Sequence, residues 1–92
     1  GADNQALYKS EMELANVNFV NPGVYTLIRA NKGMTVFARV RYRQSLAEVT
    51  LQFFNSSTVK LIFTVAQKAV APGQSAVFYS KSGELLGGGI II

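Results

Sequence analysis

Arg39, Arg41 and Arg43 recur at every second position. On a β-strand that spacing sets all three guanidiniums on one face. Three like charges side by side need water or an anion next to them. A guanidinium is a planar, bidentate donor that matches phosphate, so the chemistry on offer is binding of a polyanion rather than bond making. A solvated outer face is the plain alternative, because arginines are mostly exposed in any protein. Tyr42 falls on the opposite face of a regular strand, where it would be core. It stacks on a base only if the strand twists or ends there. Gln74 lies in Ala71-Pro72-Gly73-Gln74-Ser75, a turn by its Pro-Gly pair. Its amide both donates and accepts, which suits a nucleotide contact.

Catalytic constellations are missing. The chain has no histidine and no cysteine, so it has no Ser-His triad and no thiolate metal ligand. The usual general base near neutral pH is missing too. The five acids show no paired spacing suited to acid/base work, and nothing marks Lys60, Lys68 or Lys81 as a buried nucleophile. Gly87-Gly88-Gly89 is no phosphate loop, since neither Lys-Ser nor Lys-Thr follows it. Glycines within a strand mark instead a bend, a bulge or a close approach of backbones.

The elements that must carry these residues are short and extended. Ninety-two residues suit one domain, residues 1–92. A hydrophobic fraction of 49% against 15% charged supplies a core and argues against disorder. The net charge is +4, unevenly spread. Arg29, Lys32, Arg39, Arg41, Arg43, Lys60 and Lys68 face the single acid Glu48 across the middle of the chain, which points to an anionic partner there. No apolar run reaches about 18 residues, so no membrane span is expected. The lack of cysteine fits a cytoplasmic protein.

Apolar and polar residues alternate along most of the chain. Met12 and Leu14 form a short half-buried strand, and Asn16, Asn18 and Asn21-Pro22-Gly23 follow as turns. Val24 to Arg29 reads as extended. Met34 to Arg43 is the clearest strand, with Val36, Ala38, Val40 and Tyr42 inward and Thr35, Phe37 and the arginines outward. Val49, Leu51 and Phe53 pair through an Asn55-Ser56-Ser57 turn with Val59, Leu61, Phe63 and Val65. Ser75 to Tyr79 and Glu84 to Ile92 complete the set, and no stretch shows sustained helical periodicity. The fold class expected is all-β, a small closed or partly open antiparallel barrel of about six strands.

Three passages carry a resemblance. Arg41-Tyr42-Arg43-Gln44, the run from Gln67 to Tyr79, and Leu86-Gly87-Gly88-Gly89-Ile90-Ile91 resemble, in that order, the C-terminal domain of the bacterial tRNA-specific 2-thiouridylases. Older usage calls that family tRNA (5-methylaminomethyl-2-thiouridylate)-methyltransferases. Ala6 to Glu11 also looks like the family's entry into the domain. The resemblance departs after Gln44, where Ser45-Leu46-Ala47 stands in place of the family's prolines, and it is poor from Val20 to Lys32.

The resemblance implies a larger, ATP-dependent enzyme that exchanges oxygen for sulfur at C2 of the wobble uridine. Its ATP site and catalytic cysteines lie outside this chain, so the domain alone is not an enzyme and holds no cofactor. ATP and a sulfur donor serve the full-length protein. The implied partners are tRNA, the catalytic and central domains of the same polypeptide, and sulfur-relay proteins reached through the whole enzyme. In the family the Arg-Tyr pair and the glutamine of the Pro-Gly-Gln turn contact tRNA. Those roles carry over onto Arg41, Tyr42 and Gln74, with Arg39 and Arg43 as basic neighbours. A competing role is structural, a barrel that packs on its own enzyme through Phe37, Phe54 and Ile90 to Ile92. An independent enzyme is the third reading.

Overall fold

Alternation converts into a closed wall in the computed structural model, which describes residues 8–30, 33–40, 45–55 and 57–92. The elements are β1 (Tyr8–Phe19), α1 (Pro22–Ala30), β2 (Met34–Arg39), β3 (Ala47–Phe53), β4 (Val59–Lys68), β5 (Ser75–Tyr79) and β6 (Leu85–Ile91). Six antiparallel strands close into a barrel in the order β1-β4-β3-β2-β5-β6, with β6 returning to β1. Closure leaves the sheet with no edge to protect.

The inward residues are those that alternation assigns. Leu14, Val36, Ala38, Val49, Leu51, Val59, Leu61 and Phe78 are fully buried, and Phe63, Val40 and Ile91 nearly so. Each large side chain removed from water contributes about 1.5–3 kcal/mol. The three glycines of β6 lie where neighbouring strands approach closely. A Cβ on Gly87, Gly88 or Gly89 would press on the carbonyl oxygen of Asn18, Ala76 or Ala15, respectively, each on a flanking strand. This is the close backbone approach expected of them.

Four expectations are corrected. Val24 to Arg29 is not extended but lies in a nine-residue helix. Asn21 caps it, its side-chain oxygen accepting from the Val24 amide at 2.9 Å, and Pro22 takes the first helical position, where no amide is needed. The helix then lowers Ile28, 1% exposed, into the barrel mouth. Tyr25 packs edge-on against Phe19 and Phe53 at 5.4 and 5.5 Å. Asn16 and Asn18 are not turns but part of β1. The strand's register shifts between Ala15 and Asn18, and Asn16 takes a φ of 52°, which asparagine tolerates better than most residues. The strand from Met34 ends as a regular element at Arg39, with Val40 still buried. Residues 41–44 lie outside the described residues, as do Asn31, Lys32 and Ser56 of the expected turns. Finally, Val65 does not face inward: it is 71% exposed.

The cap gives a direct test. Asn21→Ala should lower stability by about 1 kcal/mol. Thermal unfolding should then shift down by roughly 4–8 °C for a domain of this size.

The register defines two ends. At one, α1 plugs the barrel beside the β3–β4 and β5–β6 turns. At the other lie the start of β1, the β2–β3 and β4–β5 connections and the end of β6.

Candidate nucleic-acid interface

Arg39 is the last residue of β2 and points outward, opposite to the buried Ala38 and Val40. It pairs with Val77 of β5. Its guanidinium lies over the Tyr79 ring, 5.9 Å from the centroid, a cation–π contact that orients a planar donor.

Gln74 arrives from the β4–β5 connection. Pro72 and Gly73 form the centre of a turn closed by the Gln74 amide donating to the Ala71 carbonyl at 3.4 Å. Gly73 takes a φ of 96°, the geometry of a type II turn with proline second and glycine third. The turn is anchored on β6: the Gly73 amide donates to the Ile91 carbonyl at 2.7 Å, and the Ile91 amide to the Gln74 carbonyl at 2.8 Å. With its backbone secured, the Gln74 side chain is exposed and makes no hydrogen bond among the described residues.

These two side chains, distant in sequence, line one groove of about 610 Å³ together with Val40, residues 69–71, Ser75 and Val77. That volume lies within the range of small-ligand sites. Arg39 is the charged residue of the lining, and Val40, residues 69–71 and Val77 form an aliphatic wall beside it. Of the expected site residues, Arg39 and Gln74 are therefore brought together. Arg41, Tyr42 and Arg43 lie outside the described residues, and they follow Val40, which lines the groove, directly in sequence. Periodicity missed the aliphatic wall and Tyr79, because both depend on β2 pairing with β5. The small, turn-flanked Ala69-Val70-Ala71 run was the available signal.

Two of the cations in the middle of the chain, Arg29 and Lys60, have partners of their own near the helix end. Arg29 donates to the Tyr25 hydroxyl at 3.0 Å at the helix end. Lys60 pairs with Glu11 at 3.6 Å and lies 5.4 Å from the centre of the Phe54 ring. Both are accounted for by local structure. No helix among the described residues is long and apolar enough to cross a membrane, and no three His, Cys, Asp or Glu side chains gather there.

A family model described as the aminomethyltransferase beta-barrel domain matches residues 9–91. The chain belongs to that family. Its curated relatives are longer proteins. It is 37% identical over 91 residues to a tRNA-specific 2-thiouridylase of Bacillus licheniformis, covering 99% of this chain and 23% of the relative. It is 36% identical over 90 residues to that of Clostridioides difficile, covering 97% and 23%. It is 34% identical over 89 residues to one from Clostridium botulinum, covering 97% and 24%. The chain thus spans about a quarter of the length of the curated relatives it matches. The matched part is their C-terminal barrel, which does not include their catalytic region.

Proposed function

We propose that this barrel positions tRNA for a wobble-uridine 2-thiolation enzyme of which it is the C-terminal domain. The observation that carries the reading is the shared groove. Arg39 and Gln74 meet there, beside the entry to Arg41-Tyr42-Arg43-Gln44. Guanidiniums neutralise phosphates and release counterions. Gln74 offers a donor and an acceptor to a 2′-hydroxyl or a base edge, the groups by which folded RNA is told from other polyanions. The aliphatic wall accommodates ribose.

The role is orientation. Fixing the substrate lowers the entropic cost of reaching a reactive geometry at a site elsewhere in the enzyme. ATP and the sulfur donor are handled by other parts of the polypeptide, where sulfur-relay proteins would also dock, and the enzyme works in the cytoplasm with its tRNA.

The test is Arg39→Ala in the full-length enzyme, with tRNA affinity measured against salt. Loss of one phosphate contact should flatten the slope of log affinity on log salt by about one. At about 0.1 M salt, affinity should fall roughly 5–10-fold. Turnover at saturating tRNA should hold, as for removal of uniform binding. An unchanged slope would refute the assignment of Arg39 to RNA.

A further inference from the structure

Val65 is the most exposed large apolar side chain among the described residues, at 71%, although it lies within a strand. Opposite it the sheet comes apart. β4 pairs with β3 as far as Phe63 and rejoins β1 at Gln67, while its register on β1 jumps between Lys9 and Glu11. Thr64, Val65 and Ala66 therefore bulge out of the wall, and all three are exposed. Bulges of this kind re-aim side chains.

This one is held by specific bonds. The Gln67 side-chain Nε2 donates to the Val65 carbonyl at 2.9 Å. The Thr64 hydroxyl donates to a Glu48 carboxylate oxygen at 2.8 Å. The Val65 carbonyl and the Thr64 hydroxyl are thus bonded within the barrel, and the Val65 side chain is presented outward. Beside it lies a groove of about 560 Å³ whose other apolar members are Leu46, 39% exposed, and Ala47.

The position of the chain entry selects the occupant. Tyr8, the first described residue of β1, pairs with Lys68, and Lys9 pairs with Gln67, a residue of the groove. Tyr8 itself is 46% exposed. The start of β1 thus lies at the same end of the barrel as Leu46, across β4 from the groove. In the relatives the matched segment covers 23% of the length and is the C-terminal part, so most of the enzyme precedes it in sequence. We infer that the Leu46–Val65 groove is the surface on which the preceding domain of the same polypeptide docks. Of the surfaces expected from sequence, Ile91 is buried, Phe37 and Ile90 are half-buried, and Ile92 is exposed at the end of β6. Phe54 lies at the helix end, with the Lys60 ammonium over its ring.

The experiment places p-benzoylphenylalanine at position 65 of the full-length enzyme, irradiates it and maps the adducts. The expected adduct is intramolecular, to a residue upstream of the barrel, and position 54 should not give it. Adducts to a second copy, to tRNA, or none at all would overturn the inference. Independently, Val65→Asp should make proteolysis ahead of Tyr8 about tenfold faster, since a buried unpaired charge strongly opposes docking. Val65→Thr should change it little. Equal rates for both variants would also overturn it.

Discussion

Gly87→Ala is expected to cost the barrel about 3–5 kcal/mol, the range of core disruptions that leave a domain barely folded. The added methyl would meet the Asn18 carbonyl oxygen of β1 and, at 2.9 Å, the ring of Phe78. Neither can move freely. Phe78 is fully buried and packs edge-on to Phe19 at 5.9 Å, while Asn18 is paired with Gly88 and Phe19 with Gly87 itself. Relief requires β6 to back away from β1, which also strains the bond from the Val20 amide to the Leu86 carbonyl, 3.0 Å long. Gly73→Ala makes the contrast. A Cβ there meets nothing within 4 Å, so the cost is that of a positive φ alone, about 1 kcal/mol. Thermal unfolding separates the two. Gly73→Ala should shift the midpoint by roughly 4–8 °C, and Gly87→Ala by several times that or to no cooperative transition. Equal shifts would mean that the seam is looser than these contacts require.

The largest effect on binding is expected from Arg39→Ala, Arg41→Ala and Arg43→Ala combined in the full-length enzyme. Each phosphate contact contributes about 0.7–0.9 to the slope of log affinity on log salt. Removing three should flatten that slope by about 2–3 and weaken tRNA binding at about 0.1 M salt by roughly 10²–10³-fold. Near 1 M salt the mutant and parent enzymes should converge. A uniform loss at all salt concentrations would indicate damage to the fold. An unchanged curve would mean that the stripe is an ordinary solvated face. Filter binding or fluorescence anisotropy across salt concentrations reads all three outcomes.

The barrel wall was legible because it obeys one local rule. Val36, Ala38 and Val40, Val49 and Leu51, and Val59, Leu61 and Phe63 alternate in sequence and are all buried. The helix was not, because nine residues with one buried side chain, Ile28, carry too little periodicity to outweigh β-branched neighbours. Its start was nonetheless written in Asn21-Pro22, a cap followed by a proline that needs no amide partner. Val65 was misassigned for the opposite reason: alternation continues through the letters while the bulge breaks it in space. The candidate site shows the same division. Arg39 could be placed on the outer face from spacing. Its meeting with Gln74 depends on the pairing of β2 with β5, and no local pattern encodes which strands become neighbours.

The strand order has a further consequence for how the chain acquires its shape. β3 and β4 are joined by a short turn in which the Asn55 side chain accepts from the Ser57 and Thr58 amides, both at 3.0 Å. They can pair almost as soon as they emerge from a ribosome. β1 is made first, yet one of its two neighbours is β6, the last strand in the order. Its inner face must wait until the rest of the barrel has been made, and so must the seam at the three glycines. Closure of long-range pairs is slow, on the order of milliseconds to seconds for all-β domains. The interval before β6 arrives is when a half-built wall, with Leu14 still uncovered, most needs shelter from other nascent chains.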